Sequence, residues 1–291
     1  MTDPQPGWYS DPADPDRLRW WDGMRWTPAV QQRVTTPGER LATMDRTMGR
    51  LRARDPRPFG WLVVVVPVLA IVGGQLVLSG VSASLLPTGY AARISLVLAL
   101  MAGAELFAGA LGLLAARPVA ARFGWGDAWG VRRPRLSDLA AAAAGVALVF
   151  ATRMVIGVAA QVLTNGRAVQ ESSNLHLPRM PVLAALGFLV VAAVIAPVVE
   201  EFLFRGLLLR ALARRWSFWP AAVASSAAFG LLHTYQVTTL LGAATLGLVV
   251  FLLGLVNCLL VRATDSIVPG IVVHAVFNAL AVVVSILSAG G

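Results

Sequence analysis

Seven apolar runs dominate this chain, near residues 60–86, 91–115, 138–164, 182–210, 217–235, 238–261 and 266–288. A helix needs about 20 apolar residues to cross hydrocarbon. Backbone inside lipid must also satisfy its own hydrogen bonds, which leaves helices as the natural spanning element for runs of this kind. The expectation is an all-α integral membrane protein, a polytopic bundle of about seven transmembrane helices. The fifth run is short and the fourth long, so six to eight is the fair range. Hydrophobic residues make up 57% of the 291 positions and charged residues 13%, a balance that excludes an ordinary soluble domain.

Charge then orients the bundle. All 24 basic residues are arginine, and the formal net charge is +9. They crowd the first sixty residues and recur at Arg117 to Arg135, Arg210 to Arg215 and Arg262, on one side of the expected spans. Arginine beside membrane spans follows the positive-inside rule and needs no nucleic-acid partner. The amino terminus is expected on the cytoplasmic side of a cell inner (plasma) membrane, and seven spans would leave the carboxyl terminus outside. The single cysteine, Cys258, lies in an apolar run and has no partner for an internal disulfide or a paired-cysteine metal site.

Before the first run the composition changes. Residues 1–30 contain Pro6-Gly7-Trp8-Tyr9-Ser10-Asp11-Pro12, then Arg19-Trp20-Trp21-Asp22-Gly23, then Arg25-Trp26-Thr27. Turn chemistry at Pro-Gly and Asp-Gly beside short aromatic runs predicts a small cytoplasmic β-ribbon of two or three strands. Residues 31–58 read as an arginine-rich linker or interfacial helix, and no cleavable signal peptide is expected ahead of the apolar run that starts near Phe59. Residues 59–134 hold the first two spans and a basic loop, and 135–291 the remaining core. The aromatic segment resembles the short module at the amino end of many actinobacterial membrane proteins. That resemblance carries no function. A tryptophan-stapled mini-domain is the plainer reading, and a protein-binding surface on its rings the sharper one.

The ionisable residues within the spans carry the chemistry. Such a group near the centre of a transmembrane helix costs about 2.5–3.5 kcal/mol on insertion scales, which makes each a functional candidate. They are Glu105, Arg153, Glu200, Glu201, Arg205, His233 and His274, with Asn278 one turn beyond His274. Glu201 and Arg205 stand at i and i+4 and are expected to pair. Glu200 faces about 100° away and needs another partner or water. Phe229 and His233 share one helix face, and His274 and Asn278 another. Counted from Arg210, Pro220 and Asp265, the depths are about 15 Å for Glu200, about 20 Å for His233 and about 13 Å for His274, compatible with one site. Glu105 is matched with Arg153 on charge alone. His176 reads as solvated, and the tryptophans at 125, 129, 216 and 219 as an interfacial belt.

Glu200-Glu201-xxx-Arg205, Phe229-xxx-His233 and His274-xxx-Asn278, in that order on successive spans, resemble the three motifs of the CPBP family, which comprises type II CAAX prenyl proteases and bacteriocin-processing enzymes. The resemblance covers roughly 135–288 and implies a metal-independent membrane endopeptidase of glutamic type with no cofactor. It implies that Glu200 and His233 activate water while His274 and Asn278 stabilise the oxyanion, with Glu201, Arg205 and Phe229 in support. The chemistry is consistent with these roles, since amide hydrolysis needs a base for water and donors at the carbonyl oxygen. A water-filled cavity open toward the cytoplasm is expected. The implied partners are the lipid bilayer and a membrane-associated peptide or protein substrate.

Three other readings use the same residues. Glu, His and His can hold zinc, although the spacing lacks HExxH and no third histidine or cysteine stands nearby in the motif helices. A non-catalytic membrane scaffold or regulator would keep the motif for packing and bind partners through its aromatic module. A transporter would use the carboxylates as a proton relay, but neither an inverted repeat nor a matched pair of interrupted helices is evident.

Overall fold

A computed structural model describes residues 5–32, 65, 69, 72–73, 90–167, 181–234, 237 and 239–290. The chain divides into two units, residues 1–42 and 43–291. Apart from four residues, the expected first span at 60–86 lies outside the described residues, as do His176 and all of the expected 31–58 linker except its first two residues, which belong to the amino-terminal sheet.

In the first unit, β1 (Gly7–Asp11), β2 (Asp14–Trp21) and β3 (Trp26–Gln32) form an antiparallel sheet in the order β1-β2-β3. The expected ribbon therefore has three strands. Trp8 pairs across from Trp20 and Trp21 from Trp26, so the aromatic residues meet as cross-strand neighbours. Their rings contact edge to face at 5.4 Å and 5.2 Å between centroids. Asp11 is buried, with its carboxylate paired to Arg19 at 3.0 Å and accepting the Ala13 N–H at 2.9 Å. Asp22 accepts the N–H groups of Met24 and Arg25, which closes the turn around Gly23 at φ +98°.

The second unit is helical: α1 (Tyr90–Phe123), α2 (Trp125–Trp129), α3 (Leu136–Leu163), α4 (Val182–Ala213), α5 (Phe218–His233), α6 (Leu240–Thr264) and α7 (Val268–Gly290). Five of the described helices, α1, α3, α4, α6 and α7, are long and apolar enough to cross a membrane. This is a multi-pass membrane protein. The expected fifth span is a helix of 16 residues, α5, shorter than a full crossing.

Small residues set the distances between helices, as they do where no water drives association. On α1, Ala108, Gly112 and Ala116 form a buried stripe, and a Cβ on Gly112 would lie 2.5 Å from Leu203 on α4. Between α5 and α6 the backbones approach at Gly230, whose Cβ would lie 2.7 Å from the Gly247 carbonyl oxygen. One end of the bundle is tied by polar groups. Arg132 bonds both Asp138 at 2.7 Å and the Thr264 carbonyl, Arg210 pairs with Asp265 at 3.6 Å, and the Ile267 N–H donates to the Gly130 carbonyl.

The centre of the unit is α4, and it is not a uniform α-helix. Two π-helical turns, Val191–Ile195 and Phe202–Leu208, flank a short α-helical stretch, Ala196–Glu201. Pro197 accounts for a polar vacancy in the first. In that turn the Ala196 N–H donates five residues back, to Val191. The next bond in the series would run from residue 197 to Ala192, and proline has no N–H. The Ala192 carbonyl instead accepts the side-chain amide of Asn278 on α7 at 2.8 Å. The proline thus sits at a wide turn whose open carbonyl is filled by a neighbouring helix. In the second π turn, the Phe204 carbonyl accepts the Ser225 hydroxyl of α5 at 3.1 Å. Turns of this type recur at functional sites, and here they bracket Glu200 and Glu201.

Candidate active site

Glu200 and Glu201 follow one another on α4 and face different neighbours, as helical phase requires. Both are buried. Glu201 Oε1 gathers three donors: Arg205 Nη1 at 3.1 Å, Asn257 Nδ2 of α6 at 2.9 Å and His274 Nδ1 of α7 at 3.2 Å. The expected ion pair with Arg205 is present, and both its side chains are fully buried. The Arg205 guanidinium also lies 4.4 Å from the centroid of the Phe229 ring, a cation–π contact that a dry site strengthens. Gly254 on α6 leaves the space for it, since a Cβ there would stand 2.7 Å from Arg205 Nη2.

Glu200 has a different environment. Its Oε2 lies 3.7 Å from His233 Nε2 and 3.7 Å from His274 Nε2. Both distances exceed a hydrogen bond, and this buried oxygen has no hydrogen-bond partner. The ring orientations decide what the two nitrogens offer. His233 Nδ1 lies 2.8 Å from the Phe229 carbonyl, which can only accept, so Nδ1 carries the hydrogen. In neutral His233 the Nε2 lone pair then points at Glu200. His274 Nδ1 donates to the Glu201 carboxylate in the same way, and its Nε2 likewise faces Glu200. Phe229 fixes both rings, with edge-on contacts at 4.7 Å to His233 and 5.5 Å to His274.

The structure thus brings together Glu200, Glu201, Arg205, Phe229, His233 and His274 from α4, α5 and α7. Asn278 sits one turn from His274, with its Nδ2 held by the Ala192 carbonyl. The His233 side chain keeps 19% of its surface exposed while Glu200 keeps 9%, so the site opens past His233. The matching of Glu105 with Arg153 does not occur. The Arg153 guanidinium lies over the Phe277 ring at 5.4 Å, and Glu105 is buried on the face of α1 that packs against α4. Charge alone carries no helical phase. Sequence reasoning missed Asn257, which binds Glu201 and also donates to the Gly270 carbonyl at 3.3 Å. Its signal was an amide in the middle of an apolar helix. Among the described residues, no group of three or more His, Cys, Asp or Glu side chains has an arrangement that could hold a metal ion.

The fold and site define a class: a multi-pass membrane protein whose interior holds two adjacent carboxylates, two imidazoles and an arginine. Residues 182–280, which contain every one of these groups, match the family described as type II CAAX prenyl endopeptidase Rce1-like. That family is one of CAAX-protease-like intramembrane endopeptidases, which are hydrolases, and this region is similar to it, as the three motifs imply. Residues 6–39 match a family described only as a protein of unknown function, DUF2510. Searches of the curated proteins and of the solved structures give no match.

Proposed function

We propose that this protein hydrolyses a peptide bond of a membrane-associated substrate with water activated by Glu200 and His233. The observation that carries the reading is the Glu200 carboxylate oxygen, buried and unpartnered, with two imidazole Nε2 atoms at 3.7 Å. Two acceptors, that oxygen and the Nε2 lone pair of His233, converge on one point and need a donor between them, and a water molecule supplies two hydrogens. Held there, the water is beside a carboxylate base and a second basic nitrogen.

In the proposed reaction Glu200 takes a proton from that water as its oxygen bonds to the carbonyl carbon. The carbonyl oxygen becomes an oxyanion. His274 Nε2–H is available to it while the ring carries both protons, a form whose positive charge faces the Glu201 carboxylate at Nδ1. The second hydrogen of the Asn278 amide is the other donor, the first being held by Ala192. Collapse breaks the C–N bond, and the proton on Glu200 passes to the leaving amine. No metal enters these steps. Glu201, Arg205, Asn257 and Phe229 hold the two rings in place. The site is proposed to face a plasma membrane protein's cytoplasmic side, with the amino-terminal module in the same compartment.

The test uses full-length protein in lipid nanodiscs with quenched peptides ending in a CAAX sequence, farnesylated or unmodified, with and without chelator. Cleavage that survives chelator and is lost in both Glu200→Gln and His233→Ala supports the reading. Cleavage equal in wild type and Glu200→Gln refutes it. Cleavage abolished by chelator and restored by zinc replaces it with a metalloprotease.

A further inference from the structure

One cationic side chain within the spans has no part in the chemistry above. Arg153 lies in α3, an apolar helix that runs from Leu136 to Leu163, and its guanidinium rests over the Phe277 ring of α7 at 5.4 Å. Among the described residues no carboxylate pairs with it and no hydrogen bond reaches it. Contact with a ring offsets only part of the cost of a cation inside a span, so an arginine kept there without a counter-charge is a candidate for binding one.

The face of α3 that carries Arg153 is open at this level. The buried residues Asp138, Ala142, Gly145 and Val149 follow one another at three- and four-residue spacing along the face turned to the bundle. Arg153 is next in that series, yet it is exposed, and no residue of α3 beyond Val149 is buried. A Cβ on Gly157, one turn further, would meet nothing within 4 Å. Earlier on the helix the same face is filled, since a Cβ on Gly145 would lie 2.9 Å from both Leu260 of α6 and Val273 of α7. Close packing gives way to open space where the guanidinium stands.

Phe277 ties this cation to the site. On α7 it stands three residues beyond His274 and directly precedes Asn278, the two donors assigned to the substrate oxyanion. At 1.5 Å per residue it lies about 5 Å further along the helix axis than His274. An extended peptide advances about 3.3–3.6 Å per residue, so a chain whose carbonyl meets those donors reaches the arginine within a few residues. A chain that continued there would bring further backbone donors and acceptors into the apolar interior. A chain that ends there brings a carboxylate, whose two oxygens match the fork of a guanidinium.

We infer that Arg153 binds the C-terminal carboxylate of the substrate, so that the scissile bond is a few residues from a free chain end. The substrate's placement rests on the protease reading proposed above. Arg153 gives up no proton and forms no covalent bond in the reaction; it holds the end of the chain. A lipid phosphate offers a guanidinium the same kind of anion, and the test separates the two sources.

The experiment uses full-length protein in nanodiscs of neutral lipid, without and with an added anionic phospholipid. The probe is a fluorescent farnesylated peptide ending in a CAAX sequence free of Asp and Glu, made with a terminal carboxylate or a terminal carboxamide. Affinity is read by anisotropy on Glu200→Gln, which leaves the peptide uncut, alone and combined with Arg153→Gln or Arg153→Lys, with protein-free nanodiscs as the baseline. The acid is expected to bind about tenfold or more tighter than the amide. Arg153→Gln removes the difference by weakening the acid alone, and Arg153→Lys keeps part of it. In cleavage assays with Glu200 intact, Arg153→Gln raises KM for the acid and leaves its kcat and the amide's kinetics unchanged. Equal affinity for acid and amide, or a preference that Arg153→Gln retains, overturns the inference. So does an effect of Arg153→Gln that is common to both peptides and present only with the anionic lipid, which assigns the arginine to a phosphate. An acid preference that depends on Arg153, with no cleavage by the wild type, keeps the anchor and removes the protease reading. Cleavage lost in Glu200→Gln, with no acid preference, does the reverse.

Discussion

His274 Nδ1 lies 3.2 Å from Glu201 Oε1, and through this bond the second glutamate of the motif sets what the first one sees. A ring held at Nδ1 must present Nε2 to Glu200, at 3.7 Å. Glu201 is held in turn by Arg205 and Asn257. The order of dependence runs from Asn257 and Arg205 through Glu201 to His274 and then to the reacting atoms.

Removing either support leaves a buried carboxylate short of donors. Arg205→Leu strands the charge of Glu201 and is expected to cost about 3–5 kcal/mol. Asn257→Ala removes one neutral donor, at about 1–3 kcal/mol. Thermal unfolding of the purified protein in detergent checks both. An Asn257→Ala variant within about 0.5 kcal/mol of wild type, the range of an ordinary surface change, would contradict the arrangement.

The vacancy at Pro197 makes a double-variant prediction. Asn278→Ala leaves the Ala192 carbonyl without its donor, at about 1 kcal/mol or more. Pro197→Ala supplies the missing backbone N–H, so Asn278→Ala is expected to cost less in that background. A thermal-unfolding cycle over the four proteins measures the coupling. Equal costs in both backgrounds would show that the amide is not filling the proline's place.

The amino-terminal sheet is expected to respond to acid through Asp11. The side-chain bond from Arg19, and then the Ala13 N–H, hold its carboxyl below the ordinary value. A depressed folded-state pKa stabilises fully above the unfolded value, about 3.9 for aspartate, and the contribution disappears as pH falls through the folded value. The readout is fluorine NMR of fluorotryptophan-labelled full-length protein. Shifts from the Trp8 and Trp20 pair are expected to move toward random-coil values in that acid range, and in Asp11→Asn the loss is already present at neutral pH. Acid insensitivity of those signals, with Asp11→Asn unchanged, would contradict it.

Much of this was legible in the sequence because the bilayer magnifies a few residues. The apolar runs gave the expected segments of α1, α3, α4, α6 and α7, and the i, i+4 spacing of Glu201 with Arg205 gave the ion pair. Residues with a period but no direction were harder. Helical spacing told that His274 and Asn278 share a face, but not that the Asn278 amide would be engaged by Ala192, because the π turn depends on how Pro197 meets α7. Asn257 was overlooked because an uncharged amide stands out less than an acid in a span. Glu105 was given the wrong neighbour since only packing, here the small residues of α1 against Val199 and Leu203, fixes which way a helix faces.

The central claim is that Glu200 acts on a peptide bond, and mass spectrometry of newly formed protein termini tests it most directly. Membrane fractions are compared from cells producing wild type, Glu200→Gln and His233→Ala at matched abundance. The expected result is a set of termini present with wild type and missing from both variants, whose sequences also name the substrate class. Identical termini in all three, under conditions where deleting the gene has a visible effect, would contradict hydrolysis and turn attention to the aromatic module as a binding surface.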